Sequence, residues 1–320
     1  MKVVVPIDNT PATQSMFDVL MGMKWYEGTE ITLVTVVPRW TSSPDAQAAI
    51  PGSLREIESL AVELRNALPI CEVTFFIREG DPKVEIVAFA REVGAHLILT
   101  ATAPRAKDIR FFEHDIAESI ISHAHCPVFV AKTNYDTVSD AQGGFKTVLL
   151  PVDDSVYADV AIQWLLNFRW MPNTRFILAS VLEHESARGV AKESLLSRAQ
   201  LLSTVLHTNN IVMDVRTGDP TDGIISLVHQ HHADLIVIGS HGRVGLQKMI
   251  FGSVSEELAR IGPCSIAVVR GIAEPDENWH RSGVFRRPKF EDFEKGSYQS
   301  PRDYTSGGDG SPHILPGGMH

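Results

Sequence analysis

Short runs of apolar residues alternate along the chain with longer segments of helical period. The apolar runs are rich in Val and Ile, as in ITLVTVV at 31–37 and ADLIVIG at 233–239, and such continuous runs are typical of buried parallel strands. The helical pattern is clearest in Ser53–Ala67 and Lys192–Leu206. Strands that alternate with helices predict βαβ units and a parallel sheet.

This pattern occurs twice, which predicts a tandem duplication of one α/β domain. The alignment has no gap between Gly80–Lys132 and Gly218–Arg270. Each copy is predicted to form an open, mostly parallel five-stranded sheet flanked by helices, a Rossmann-like fold. The matched segments are KVVVPIDNT at 2–10 with TVLLPVDDS at 147–155, ITLVTVV at 31–37 with FILASVL at 176–182, REGDP at 78–82 with RTGDP at 216–220, AHLILTA at 95–101 with ADLIVIG at 233–239, and CPVFVAK at 126–132 with CSIAVVR at 264–270. In the second copy the strands are expected to start near Thr147, Arg175, Ile211, Ala233 and Cys264.

The copies set the expected domain boundaries. The first copy covers 1–132 and the second 146–271, and the polar segment 133–145 between them is interpreted as a linker. Residues 272–320 belong to neither copy and are rich in Pro, Gly, Ser and charge, which favours an extended or disordered tail. Aromatic residues in this tail leave open whether part of it docks on the folded body or on a neighbouring subunit.

Length, charge and cysteine content narrow the function classes. A chain of 320 residues suits two domains, and its formal net charge of -10 argues against a nucleic-acid or membrane-surface binder. No apolar span approaches the roughly 20 residues of a transmembrane helix, and the N-terminus has the pattern of a strand and not of a signal peptide. Three sparse cysteines favour a reducing compartment, so we expect a cytoplasmic protein.

The chain offers little metal-binding chemistry. The run His229–His232 contains adjacent histidines, which point to different faces of a helix and make a poor chelate. This run is therefore interpreted as a solvated helix end. Cys126 and Cys264 occupy equivalent positions at strand starts and are interpreted as buried structural residues.

A glycine-rich stretch, GSHGRVGLQKMIFGS at 239–253, follows the fourth predicted strand of the second copy. Gly239 and Gly242 permit a sharp exit from the strand and close approach of backbone to a ligand. Ser253 and Glu256 have the spacing of a capping box before a helix, whose first N–H groups favour phosphate. The stretch is either a phosphate-binding loop or a turn followed by a helix cap.

Three motifs resemble those of the universal stress protein (UspA-like) family. They are PVDDS at 151–155, GDP at 218–220, and G-x-x-G separated by nine residues from G-S. The resemblance covers both copies, roughly residues 1–271. It implies an α/β fold of the adenine nucleotide α-hydrolase type that usually binds ATP. Family members that lack the glycine motif generally do not bind ATP, and this chain carries the motif only in the second copy.

The resemblance implies a set of nucleotide-binding residues. Pro151 and Asp153 would lie beside the adenine and ribose, and Val181 would offer backbone groups to the adenine. The glycine stretch would wrap the ribose and phosphates. The alternatives are that Pro151 only ends a strand, that Val181 is core, that Arg243 is a solvated charge, and that Asp153 caps the next helix with Ser155. The implied set is Pro151, Asp153, Val181, Gly239, Ser240, His241, Gly242, Arg243, Gly245, Gly252, Ser253 and Val254.

The first copy departs from this motif. The gapless alignment places Ala101, Pro104 and His114 opposite Gly239, Gly242 and Gly252, and Asp115 opposite Ser253. Pro104 lacks an N–H donor, and Asp115 would repel phosphate while making a good helix N-cap. Pro6 and Asp8 persist. We therefore expect that the first copy does not bind ATP, or binds a different, non-phosphorylated ligand.

The main functional hypothesis is an ATP-binding stress-response or regulatory protein with little catalysis. Slow ATP hydrolysis or autophosphorylation on Ser253 or Ser255 stays open, and Asp153 is the carboxylate expected to meet Mg²⁺ through water.

The resemblance implies that the copies pair through 126–132 and 264–270, as a pseudo-dimer, and a homodimer of chains stays open. One alternative is a nucleotide-independent scaffold acting through its surface and aromatic tail. Another is an ATP-pyrophosphatase-like enzyme, which DDSVYADV at 153–160 disfavours because it lacks glycine.

Overall fold

The computed structural model describes residues 1–8, 11–37, 44–102, 112–132, 144–153, 155–240 and 252–270. Within these ranges the chain forms ten strands and eight α-helices. The strands are β1 Lys2–Pro6, β2 Thr29–Val37, β3 Cys71–Glu79, β4 Leu97–Thr102, β5 Val128–Lys132, β6 Thr147–Pro151, β7 Arg175–Leu182, β8 Ile211–Thr217, β9 Leu235–Gly239 and β10 Ser265–Val269. The helices are α1 Pro11–Gly22, α2 Pro44–Ala67, α3 Pro82–Glu92, α4 Phe112–His123, α5 Val156–Leu165, α6 Arg188–Leu206, α7 Pro220–His231 and α8 Ser253–Ile261.

All ten strands belong to one sheet, in the order β3-β2-β1-β4-β5-β10-β9-β6-β7-β8. Strands are parallel within each copy, as the continuous apolar runs predicted. The two copies meet through β5 and β10, which are antiparallel and pair Val130 with Ile266 and Phe129 with Ala267. The expected pairing of the two last strands is therefore present within the chain, and it joins the two five-stranded sheets into one.

Helices cover both faces of this sheet. The core on one face lies under α1, α2, α5 and α6, with Leu20 and Leu165 fully buried. The core on the other face lies under α3, α4, α7 and α8, with Ile120 and Leu258 fully buried. Each core draws on both copies, so apolar side chains form two layers that run across the junction between the copies.

Aromatic side chains strengthen the junction on the first face. The indole ring of Trp25 meets the ring of Phe168 edge to face, with 5.8 Å between centroids. Nearby, the Arg169 N–H donates to the carbonyl oxygen of Lys24 at 3.1 Å. The ends of α1 and α5 are thus tied to each other across the two copies.

Two basic side chains close the junction on the second face in a reciprocal way. The Lys132 ammonium, at the end of β5, donates to the carbonyl of Ala259 in α8 at 2.6 Å. The Arg270 guanidinium, just after β10, donates to the carbonyl of Ile121 in α4 at 2.7 Å. Each copy therefore supplies a cation to the C-terminal turn of the other copy's last helix, where free carbonyls and the helix dipole favour positive charge.

The GDP motif has a structural explanation in both copies. Gly80 and Gly218 have φ of +151° and +141°, a region that side-chain-bearing residues rarely adopt. Asp81 and Asp219 follow as N-caps, and their carboxylates accept an N–H from the first turn of α3 and α7 at 2.9 and 3.0 Å. The motif therefore begins a helix in each copy.

Some expectations need correction. The helix expected from residue 53 begins at Pro44, and the one expected from Lys192 begins at Arg188. The histidine run is not simply solvated, because the His231 side chain is 9% exposed and its Nε2 lies 3.1 Å from the Asp214 carboxylate. All three cysteines are buried.

The segments between and after the copies are described only in part. Residues 133–143 of the expected linker, Gly271 and the expected tail 272–320 lie outside the described residues. Phe145 is buried against Phe129 of the first copy, so the second copy's fold begins before β6. Within the described ranges, no helix combines the length and the apolar character needed to cross a membrane.

Candidate functional site

The candidate site lies where the strand order of the second copy reverses. The neighbouring strands β6 and β9 lead to α5 and α8, which pack on opposite faces of the sheet. Between two such strands a crevice opens at their carboxyl ends, and open α/β sheets bind their ligands in this crevice. The sequence-predicted residues of β6 and of the glycine stretch belong to this end of the sheet.

The two ends of the glycine stretch meet at Ser240. The Ser240 N–H donates to the carbonyl of Val269 at 2.9 Å, which fixes the exit of β9 against β10. The Ser240 carbonyl in turn accepts the N–H of Gly252 at 2.8 Å. The residues that flank 241–251 are therefore hydrogen-bonded to each other at the end of β9.

The start of α8 differs from the predicted capping box. Gly252 is the N-cap residue and Ser253 is the first helical residue, so the pairing of Ser253 with Glu256 is not the cap. The Glu256 N–H bonds to the Gly252 carbonyl at 3.1 Å, and no side chain caps the helix. The N–H groups of the first three helical residues consequently have no acceptor inside the helix, and the helix dipole adds to their attraction for an anion.

The two serines named as phosphate acceptors differ in exposure. Ser253 is exposed at the first position of α8. Ser255 is 2% exposed, and its hydroxyl lies 2.9 Å from the Gly252 carbonyl and 3.3 Å from the Ser240 carbonyl. The Ser255 hydroxyl thus holds the helix start against the end of β9, and the expectation of Ser255 as an acceptor is disfavoured.

The end of β6 leaves part of β7 uncovered. Pro151 pairs with Ala179, and the next N–H, of Val152, donates to the Ala179 carbonyl at 2.7 Å. Backbone groups of alternate residues in a strand point the same way, so those of Val181 also point toward the β6 side, past the end of β6. The Val181 side chain is half-buried against Gly223 of α7.

Asp153 follows β6 and is fixed by the start of α5. Its Oδ1 accepts the backbone N–H of Ser155 at 3.1 Å and the hydroxyl of the same residue. Ser155 is the N-cap position of α5 but makes no side-chain cap. The alternative that Asp153 caps the helix together with Ser155 is therefore partly right, because one carboxylate oxygen is used for local structure.

Gly239 has a packing role that the sequence did not indicate. A Cβ at this position would lie 2.7 Å from the carbonyl oxygen of Tyr157, in the first turn of α5. Only a residue without Cβ lets α5 approach the end of β9 this closely. The glycine is thus explained by a contact within the protein, and close approach of a ligand is not needed to account for it.

Four of the predicted site residues lie outside the described part of the chain: His241, Gly242, Arg243 and Gly245. The other eight all belong to the crevice end of β6, β7, β9 and α8. Sequence reasoning named Ser155 as a capping partner of Asp153, but it missed the packing of Tyr157 on Gly239 and the role of the Ser255 hydroxyl at the start of α8. Only the D-x-S spacing at 153–155 signalled one of these contacts.

The family model described as "Universal stress protein family" matches residues 1–132 and again residues 144–270. The chain belongs to the universal stress protein family. The double match agrees with the internal repeat, and this universal stress protein is a tandem member whose two copies share one sheet.

Known relatives agree with this assignment. A universal stress protein A family protein of Schizosaccharomyces pombe is 23% identical over 218 residues, covering 58% of this chain and 69% of the relative. A putative universal stress protein of Staphylococcus aureus is 28% identical over 145 residues, which are 39% of this chain and 84% of the relative. The crystal structure of a universal stress protein from Archaeoglobus fulgidus is 19% identical, with a TM-score of 0.62 over 84% of this chain and 98% of that chain.

Proposed function

We propose that this universal stress protein binds ATP in the second copy, in the crevice between β6 and β9, as a regulatory protein with little catalysis. The observation that supports this best is the start of α8. A glycine N-cap without a side-chain cap leaves three N–H groups for an anion, and the Ser240 carbonyl holds this helix end at the crevice. Gly239, the first glycine of the G-x-x-G motif, ends β9 and directly precedes Ser240.

The other half of the crevice suits the base and sugar. The backbone of Val181, past the end of β6, offers an N–H and a carbonyl in the plane of the sheet, the pair of groups that an adenine edge needs. The Asp153 carboxylate lies at the end of β6, and its Oδ2 is the oxygen not bonded to Ser155. We propose that this oxygen contacts ribose hydroxyls, or Mg²⁺ through water.

The first copy would serve as the structural partner of this site, with 1–132 and 146–271 as its two domains. Its last helix, α4, begins at Phe112, which aligns with residue 250, whereas α8 begins at Ser253. The expectation that Asp115 is the N-cap of this helix is therefore wrong. His114, which aligns with Gly252, lies inside α4, so the free N–H groups at the start of α4 lie one turn away from the position that they have in α8.

Calorimetric titration of ATP into the full chain and into Gly252→Asp tests the proposal. Asp is a favourable N-cap, so the variant should fold and keep its unfolding temperature. The new carboxylate accepts the free N–H groups and repels phosphate, so ATP affinity should fall at least about 100-fold. Unchanged ATP affinity in a folded Gly252→Asp would refute binding at α8.

The matched control is His114→Asp, the same new residue at the aligned position of the first copy. It should leave the ATP titration unchanged. If the wild-type chain binds no ATP and no nucleotide is released when the purified protein is denatured, the nucleotide-independent scaffold becomes the better hypothesis.

A further inference from the structure

The sheet ends in β3 on the side of the first copy and in β8 on the side of the second, and β8 turns part of its backbone outward. The Phe176 N–H of β7 donates to the carbonyl of Asn210 at 2.9 Å, so the backbone groups of the even-numbered residues from 210 face β7. Because these directions alternate along a strand, the N–H and carbonyl groups of Ile211 and Met213 point away from the sheet. An edge of this kind can pair with a strand of another chain.

The corresponding strand of the first copy has its edge covered by a charged side chain. The gapless alignment extends back from the GDP motifs through α2 and α6, and it places Val73 of β3 opposite Ile211. This alignment agrees with the buried residues of the two helices, which are Ile57, Ala61 and Leu64 in α2 and Leu195, Ala199 and Leu202 in α6. The Arg65 Nε of α2 donates to the carbonyl of Val73 at 2.9 Å. In α6 the residue aligned with Arg65 is Ser203, so an uncharged hydroxyl replaces the cation that protects β3.

A groove of about 350 Å³ lies between α6 and β8 in the second copy. Met213 is 46% exposed there, whereas the aligned Phe75 of β3 is half-buried. Leu196, one helical turn before Gln200, is exposed and extends the apolar part of this surface. The residues that line the groove are all uncharged: Ala199, Gln200, Ser203, Thr204, Asn209, Ile211 and Met213.

The C-terminal half of the β8 edge is covered by the segment that precedes α6. The Arg188 guanidinium donates to the carbonyl of Val215 at 3.1 Å, and the Thr217 hydroxyl donates to the Glu185 carboxylate at 2.6 Å. The part of the edge that can pair with a further strand is therefore Ile211 to Met213.

The charge of the chain and its existing strand pairing favour a second chain of the same protein as the partner. Each chain carries a formal net charge of -10, so two chains repel each other least where their contact surfaces are uncharged. The two copies within the chain already associate through antiparallel end strands, β5 and β10. Since Arg65 covers β3, pairing of β8 with β8 is favoured over pairing of β8 with β3, and it gives a closed twofold dimer.

We propose that two chains pair through antiparallel β8 strands about a twofold axis at Val212. In this register Ile211 of each chain exchanges two backbone hydrogen bonds with Met213 of the other chain, and Val215 is not used. The two Val212 residues face each other and Asn210 lies opposite Asp214, so no like charges meet across the new pair. This dimer is independent of nucleotide binding.

Sedimentation velocity of the full chain tests this inference, and the expected result is a dimer at about 100 μM protein. Ser203→Arg gives α6 the residue that covers β3 in the first copy, so it should weaken the dimer at least about tenfold by competing for the Ile211 carbonyl. Arg is a good helix former, so the variant should fold, which thermal unfolding checks. The matched control is Ser226→Arg, the same change on an exposed residue of α7, and it should leave the dimer unchanged.

A cysteine at Val212 tests the register of the strand pair. Residues that face each other at a non-hydrogen-bonded position have Cα atoms about 4.5 Å apart, within the range of a disulfide. Val212→Cys should therefore form a covalent dimer under mild oxidation, and the three native cysteines should not interfere because they are buried. Thr217→Cys is the control, since the two exposed Thr217 positions would lie roughly 30 Å apart in this dimer.

Three results would overturn the inference. One is a wild-type chain that sediments as a monomer at about 100 μM. Another is a dimer that Ser203→Arg does not weaken, or that Val212→Cys and Thr217→Cys cross-link equally. The third is a monomer whose Ile211 and Met213 amides are protected from hydrogen exchange, which would show that a segment of the same chain, such as 272–320, covers the edge of β8.

Discussion

At the scale of single residues, Gly239 and Gly252, near the two ends of the stretch 239–253, have different physical roles. Gly239 is a glycine because α5 packs on it, with the Tyr157 carbonyl 2.7 Å from where a Cβ would be. Gly252 is the N-cap residue of α8 and has no side chain that could accept the N–H groups of the first turn. The motif predicted a binding role for both glycines, but a one-dimensional motif cannot distinguish a packing requirement from a binding requirement.

Gly239→Ala should destabilise the protein by about 1–3 kcal/mol, because the added methyl group overlaps backbone atoms that cannot move alone. Urea unfolding followed by circular dichroism measures the change. Gly189→Ala is the control, since Gly189 is an exposed residue of α6 with open space around it. That substitution should be neutral or stabilising by about 0.5–1 kcal/mol. Equal effects of the two substitutions would contradict the packing role.

The aligned residues His96 and Asp234 both accept backbone N–H groups, but with different side chains. His96 Nδ1 accepts the N–H of Lys2 at 2.8 Å, and the aligned Asp234 accepts the N–H groups of Lys146 and Thr147 at 2.7 and 3.1 Å. Burial lowers the pKa of His96 to about 4 and raises the pKa of Asp234 to about 6, because in each case it disfavours the charged form.

The contributions of His96 and Asp234 to the stability of the folded state should depend on pH in opposite directions. The folded state holds His96 neutral, so its contribution to stability is lost as pH falls from about 6.5 to about 4. The raised pKa of Asp234 gives a contribution that is present below pH 3.8 and lost as pH rises through about 6.

An NMR titration measures the protonation of His96 directly. The ring signals of His96, assigned with His96→Gln, should remain those of the neutral form down to about pH 5, whereas an ordinary histidine titrates near 6.5. Titration of His96 near pH 6.5 in the folded protein would contradict its buried acceptor role.

At the scale of secondary-structure elements, the strands were more predictable than the helix starts. Buried parallel strands need continuous apolar runs, so their positions follow from the sequence, and the predicted strand starts in the second copy lie within two residues of those observed. Helix starts depend on local competition. Ser253 has the sequence of a cap, yet Gly252 takes that position, and its N–H donates to the Ser240 carbonyl.

The reciprocal caps of α4 and α8 could not be predicted from local sequence, since each joins residues far apart in the chain. Lys132 and Arg270 end equivalent strands, and a basic residue after a strand gives no signal of the helix it will contact. Only the antiparallel pairing of β5 and β10 brings each cation to the other copy's helix.

Lys132→Met removes the charge-assisted bonds to the Ala259 and Arg260 carbonyls and keeps the apolar stem, but it also removes the cost of burying the ammonium. The stability at pH 7 should therefore change by less than about 1 kcal/mol. Burial also lowers the pKa of Lys132 to about 8. Wild-type stability should therefore gain a contribution as pH rises from about 8 toward 10.5, and the variant should lack it. Denaturant unfolding at pH 7 and pH 10 measures both effects, and an unchanged difference between the pH values in Lys132→Met would contradict the second.

At the scale of the whole molecule, one sheet with two continuous cores makes the copies a single folded unit within the described ranges. The duplication explains why the sheet has two similar five-stranded halves. The sequence differences between the copies make the two halves differ at their last helices. Both copies keep a Pro and an Asp at the ends of their first strands. In the second copy the last helix begins directly after Gly252, whereas α4 of the first copy begins at Phe112, one turn earlier in the alignment.

The stoichiometry of ATP binding tests this asymmetry most directly. Equilibrium dialysis of labelled ATP against the full chain, stripped of nucleotide beforehand, should give one ATP per chain at saturation. Two ATP per chain would show that the first copy accepts phosphate despite the early start of α4. Saturation without any bound ATP would show that the free helix start of the second copy is not a nucleotide site.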